Sequence, residues 1–217
     1  MPTLLHLDSS ADLRNSVSRA LTARFATTWT EISTDHLVVQ RDLHLDPLPH
    51  LPTSALHWAP RLRTSEEVVP PGAERLQKVL IDELLNADVV LLGAPMYNWA
   101  MPSTLKAWLD YVHVGGLTST VDDQPSQPLA GKPVVVVSSR GASYGPGTPG
   151  EHADHEVPGI VQCLGTSMGM DVTVVTAELT LATRLPALNQ FAGQAADELE
   201  KAAKAMVDLA HTLGKHK

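Results

Sequence analysis

Short aliphatic runs alternate along this chain with longer segments whose apolar residues recur every three or four positions, and few folds satisfy that alternation. Val89-Val90-Leu91-Leu92-Gly93 is continuously apolar, the pattern of a parallel strand buried on both faces. Similar runs occur at Thr3–Leu7, His36–Val39, Ala87–Ala94 (which contains the run just named), Pro133–Ser138 and Val172–Ala177. Between them lie helical patterns. Val17 to about Thr30 stacks Val17, Leu21 and Phe25; Gly72–Asn86 carries Leu76, Val79, Leu80 and Leu84. Pro102–Val114 puts Leu105, Trp108, Leu109 and Val112 on one stripe, with Gly115-Gly116 as a stop. Val157–Met168 and the Ala-rich Pro186–Leu213 complete the helical set. Five strands alternating with helices predict an α/β domain with a parallel sheet covered on both faces. Right-handed crossovers make 2-1-3-4-5 the simplest strand order, with a switch point between strands one and three. One domain over 1–217 is expected.

The charge balance is 16 − 24 = −8, which argues against a nucleic-acid surface or an anionic membrane as partner. No apolar run approaches the ~20 residues of a membrane span, and Met1–Asp8 reads as a first strand, not a signal peptide. The lone Cys163 excludes an internal disulfide and fits a reducing, cytoplasmic setting. It lies among Ile160, Val161 and Leu164, so an inert thiol is expected. Asp42 to Pro71 is proline-rich yet carries Leu48, Leu51, Leu56, Trp58 and Leu62, so this long loop is expected to pack on something. Thr118–Leu129 is a polar insert.

Three loops fall at the carboxyl ends of strands, where open α/β sheets bind ligands. The first is Ser9–Ser18, with hydroxyls and a helix N-terminus suited to an anion and Ser16 as N-cap. The second is Pro95-Met96-Tyr97-Asn98-Trp99, whose rings, amide and backbone N–H groups suit a flat, polar-edged heterocycle. The third is Ser138-Ser139-Arg140-Gly141-Ala142-Ser143-Tyr144. Other motifs read as ordinary structure. Gly145–Gly150 matches Gly-x-Gly-x-x-Gly, but two prolines remove donors and no strand directly precedes it. His152 and His155 lack a third ligand, so no metal is expected; they read as part of an acidic helix start. No Walker A motif and no Gly-x-Ser-x-Gly elbow occurs.

These pieces together resemble the FMN-dependent NADH-azoreductase family of flavodoxin-like quinone and azo-compound reductases. The matching residues are Ser9-Ser10 with Asn15-Ser16-Val17-Ser18, Ala94–Trp99 with Leu105-Lys106, and Ser139-Arg140-Gly141, in family order over about residues 1–180. Arg41-Asp42-Leu43 and Pro47-Leu48-Pro49 also resemble the family's segment after strand two. The resemblance implies that Ser10, Ser16, Val17 and Ser18 hold the FMN phosphate. It implies that Met96, Tyr97, Asn98 and Trp99 line the flavin ring and ribityl chain, and that Ser139, Arg140, Gly141 and Ala142 contact the ring's polar edge. Asn98, Arg140 and Tyr144 are then the candidates for tuning the flavin. Trp99 stands where the family usually has Phe, and Ala142 where it usually has Gly.

The implied activity is a ping-pong oxidoreductase: NAD(P)H reduces the flavin and leaves, and a quinone or azo compound then takes up two electrons. The resemblance also implies a homodimer whose active site the second subunit completes. The rival from another class is a flavodoxin-type electron carrier acting on protein partners; an aromatic pocket beside a long apolar loop suits small substrates better. A receiver-like signalling domain is disfavoured, because strand three ends in Gly93-Ala94-Pro95 with no phosphoacceptor Asp.

Overall fold

In the computed structural model, which describes residues 1–121 and 127–215, five parallel strands form one sheet in the order β2-β1-β3-β4-β5. They are β1 (Thr3–Asp8), β2 (Leu37–Asp42), β3 (Val89–Pro95), β4 (Pro133–Ser139) and β5 (Asp171–Ala177). The helices are α1 (Val17–Ile32), α2 (Pro71–Asn86), α3 (Ser103–Val112), α4 (from Val157) and α5 (Ala192–Lys215).

The period of two explains how the central strands bury both faces. Leu5, Leu7, Val90, Leu92, Val134 and Val136 point into one core with α2, α3 and α4. Leu4, Leu91, Val135 and Val137 point into a second core with α1 and α5, around Phe25 and Trp29. Fully burying one such side chain contributes about 1.5–3 kcal/mol, so both layers are needed to hold the sheet. Gly93 serves a close approach. A Cβ there would lie 2.6 Å from Asp8 Oδ1 and 3.2 Å from Thr22 Cγ2.

Several boundaries differ from expectation. β2 runs three residues further, because Gln40, Arg41 and Asp42 continue the pairing with His6, Leu7 and Asp8. α4 is a single α-turn, Val157–Ile160, that continues as π-helix over Val161–Ser167. His152 and His155 precede it in a non-helical stretch. The closing helix is preceded by a separate 3-10 turn at Pro186–Phe191.

The Asp42–Pro71 loop packs on its own chain. Leu43 and Leu56 are fully buried, and buried Gln77 Nε2 donates to the carbonyls of Leu56 (2.7 Å) and Tyr111 (3.0 Å). Cys163 is a free thiol whose pKa burial pushes up to about 11, so it is inert at neutral pH. The insert from 118 to 129 lies partly outside the described residues.

Candidate functional site

The first loop is set by a guanidinium. Arg19, one turn into α1, donates from Nε (3.1 Å) and Nη2 (2.7 Å) to the Ser10 carbonyl. It also forms a two-pronged pair with Asp42 at 2.6 and 2.9 Å. Burial alone would raise the Asp42 carboxyl; the Arg19 hydrogen bond and the N–H groups of Leu45 and His44 outweigh it and hold the pKa at about 2. Ser9 is strapped to β3, its Oγ donating to the Gly93 carbonyl at 2.7 Å. Asp12 Oδ1 accepts the N–H groups of Arg14 (2.9 Å) and Asn15 (2.8 Å). Ser16 is the N-cap, its Oγ accepting from Arg19 N at 3.2 Å. The first turn of α1 holds no acidic residue, and its leading N–H groups, at Val17 and Ser18, are the orphan donors of a helix start.

The second loop is a two-residue turn. Tyr97 and Ala100 exchange backbone hydrogen bonds at 2.8 and 3.1 Å. The residues between them, Asn98 and Trp99, have φ of 50° and 67°. Positive φ at both central positions is the geometry of a type I′ turn. Asn tolerates it; a bulky residue there costs of order 1–3 kcal/mol. The Trp99 indole is 56% exposed, so packing does not offset that cost within this chain. The Tyr97 hydroxyl accepts from Ala11 N–H at 2.9 Å and lies 3.4 Å from Ser10 Oγ. Met96 N–H donates to the Ser139 carbonyl at 2.9 Å, which ties this loop to the third.

The third loop is organised around Arg140, which is buried. Its Nη2 donates to Asp154 Oδ2 (2.6 Å), its Nη1 to Glu178 Oε1 (3.4 Å) and its Nε to Ser138 Oγ (2.9 Å). Ser138 in turn donates to Glu156 Oε2 at 2.7 Å. Glu156 is fully buried, and its Oε1 has no partner among the described residues. Burial raises its pKa to about 8, against the lowering by Ser138 and Arg140. Arg140 Nε also lies 3.8 Å from Glu156 Oε2, but with Asp154 and Glu178 already on the guanidinium that attraction does not outweigh burial. Tyr144 lies under Arg140, 5.8 Å from guanidinium carbon to ring centroid, and its N–H donates to Glu178 Oε1 at 2.8 Å.

A cavity of about 850 Å³ opens at this sheet edge, within the size range of small-molecule sites. Ser10, Ser16, Val17, Met96, Tyr97, Ser139 and Gly141 line it; Ser18, Asn98, Trp99, Arg140, Ala142 and Tyr144 are not among its lining. Sequence reasoning missed its far wall. Glu178–Leu181, Thr183 and Arg184 after β5, with Ala192, Ala195, Ala196 and Leu199 of α5, close the cavity. That wall hangs on the third loop. Thr180 N–H donates to the Arg140 carbonyl (2.9 Å) and Leu181 N–H to the Gly141 carbonyl (3.3 Å). Gly141 leaves room beneath it: a Cβ there would sit 2.7 Å from Leu181 Cδ1 and the leucine side chain would have to shift. The donor set fits FMN: an acid-free helix start with serines at one end, and backbone groups, Met96 and a tyrosine ring at the other. The Gly145–Gly150 stretch lies outside the lining.

A doubly wound parallel sheet with a nucleotide-sized cavity at its switch point defines a flavodoxin-like protein. The family profile described as "Flavodoxin-like fold" matches residues 2–207. The protein from Kineococcus radiotolerans named "FMN-dependent NADH:quinone oxidoreductase" is 50% identical over 213 residues, 98% of this chain and 100% of that one. One of the same name from Streptomyces coelicolor is 43% identical over 194 residues, 88% of this chain and 86% of that one. The chain belongs to this flavodoxin-like family, alongside proteins named FMN-dependent NADH:quinone oxidoreductase. An azoreductase structure from Bacillus anthracis covers 98% of this chain and 100% of its own, with a TM-score of 0.79 at 21% identity. Another from that organism, an FMN-dependent NADH-azoreductase in complex with FMN, covers 99% and 100% with a TM-score of 0.79 at 17% identity. These two matches support the fold.

Proposed function

We propose that this chain is an FMN-dependent NADH:quinone oxidoreductase that also reduces azo compounds, transferring two electrons per turnover. The observation that carries the reading is the convergence of the Ser10–Val17, Met96–Tyr97 and Ser139–Gly141 loops on one cavity, in a chain half identical to a protein of that name. The flavodoxin-type carrier is not favoured, because the relatives are named as oxidoreductases.

FMN, when bound, would supply the hydride and two-electron chemistry needed to reduce a quinone to its hydroquinone at the expense of NADH. The chain's part is binding and orientation. Ser10, Ser16 and the N–H groups of Val17 and Ser18 hold the phosphate. Met96, Tyr97, Ser139 and Gly141, which line the cavity, would hold the ring system. Asn98 and Trp99 would shape the second loop, and Arg140 and Ala142 the third, without lining the cavity themselves. Arg140 is a positioning residue, its guanidinium held by Asp154 and Glu178.

Purified, FMN-loaded protein is expected to consume NADH when menadione or an azo dye is present. Double-reciprocal plots at several acceptor concentrations should be parallel, because both substrates use one site. Intersecting lines would overturn the shared site; absence of NADH consumption would overturn the activity.

A homodimer belongs to the same reading. Trp58 is 42% exposed, Leu45 65% and Leu117 37%, on loops that present apolar surface. Obligate interfaces bury over ~2,000 Å² in total. Light scattering should give twice the chain mass at micromolar concentration; a monomer with full activity overturns it. We place the protein in the cytoplasm, where a free thiol such as Cys163 stays reduced. No described helix is long and apolar enough to cross a membrane.

A further inference from the structure

We propose that Arg184, from the segment after β5, supplies the positive charge opposite the FMN phosphate; this rests on the FMN reading of the cavity. The cavity lining holds two carboxylates, Asp12 and Glu178, and a single cationic side chain, Arg184. Glu178 is matched by Arg140 and by the Tyr144 N–H. Asp12 stands at the anion end, beside Asn15, Ser16 and Val17, and brings negative charge toward any phosphate there.

The α1 terminus offers neutral donors; of the two cations flanking it, Arg14 does not line the cavity and Arg19 is already engaged. Both Nη atoms of Arg19 are on Asp42, while its Nε and Nη2 serve the Ser10 carbonyl. Arg184 is exposed, and its guanidinium makes no hydrogen bond or ion pair among the described residues. Its backbone is nevertheless fixed. Arg184 N–H and Leu185 N–H both donate to the Leu181 carbonyl, at 3.0 and 2.9 Å, in a turn anchored on Arg140 and Gly141. The charge of Arg184 reaches the Asp12 carboxylate and helps lower its pKa, after the larger effects of the Asn15 and Arg14 N–H groups. Arg184 and the α1 start thus line one cavity, and the charge of Arg184 is felt at Asp12, beside that helix start. Guanidinium and phosphate form charge-assisted, two-pronged hydrogen bonds.

The test compares FMN with riboflavin, which lacks the phosphate, by fluorescence titration of the full-length apoprotein. Arg184→Ala should weaken FMN binding about tenfold, equivalent to about 1.4 kcal/mol, and leave riboflavin binding unchanged. Arg184→Lys should recover part of the loss. The wild-type preference for FMN should shrink with added salt more steeply than that of the alanine variant. A variant whose FMN-to-riboflavin ratio equals that of wild type overturns the inference. So does one in which only the KM for NADH rises, which would assign Arg184 to the dinucleotide's phosphates instead. A wild-type chain that binds neither flavin overturns the FMN reading itself, and the inference with it.

Discussion

Replacing Glu156 by Gln is expected to stabilise the protein at pH 8 and to have little effect below pH 4.5. Glu156 is buried with one oxygen unpartnered, and its pKa is raised to about 8 from an ordinary 4.5. Below pH 4.5 the acid is neutral in folded and unfolded chains alike, so it carries no penalty. As the pH rises from there to about 8, the unfolded chain gives up this proton and the folded chain retains it. Stability must fall across that window. The cost at pH 8 is on the order of 3 kcal/mol, at 1.36 kcal/mol for each unit between the two pKa values with allowance for solvent relaxation. Gln keeps the shape, still accepts from Ser138, and has no proton to lose. The variant should therefore melt roughly 6–12 °C higher than wild type at pH 8. Calorimetry at several pH values measures this; a difference between the two proteins that does not change from pH 5 to 8 would falsify a neutral Glu156. Asp42 works at the other end of the scale. Its lowered pKa contributes stability present above pH 4, which is lost as the pH falls toward 2.

Ser16→Asp should fold and bind FMN at least about tenfold more weakly, since each ~1.4 kcal/mol is a factor of ten. Asp is as good an N-cap as Ser, and here the cap accepts the Arg19 N–H. The same carboxylate would sit at the cavity wall, replacing a hydroxyl donor to phosphate by like-charge repulsion. Loss of a hydrogen bond to a charged group alone is worth about 1.5–3 kcal/mol. Circular dichroism checks the fold and flavin fluorescence the affinity. A folded variant with parental FMN affinity would confine Ser16 to capping.

The sheet was legible because its central strands β1, β3 and β4 are buried on both sides. Val89–Leu92 and Pro133–Val137 admit no other reading, and βα alternation leaves little choice of order. The Ser16 cap was equally local and is found as expected. What was not legible depends on contacts distant in sequence. Asp154 and Glu156 read as acids near a helix start; only the folded chain turns them onto Arg140 and Ser138. The wall from Glu178 to Arg184 carries no motif. Its place follows from Leu179 at φ 58° and from hydrogen bonds to the carbonyls of Arg140 and Gly141. Ahead of α5, Pro186–Phe191 is a 3-10 turn, where the Ala-rich pattern predicts one helix from Pro186 to Leu213.

The Tyr97 hydroxyl, held on the Ala11 N–H at 2.9 Å, joins the first and second loops into one mechanical unit. Phenylalanine at this position would keep the ring and release the Ala11 N–H, so the first loop can be loosened by a change made wholly in the second.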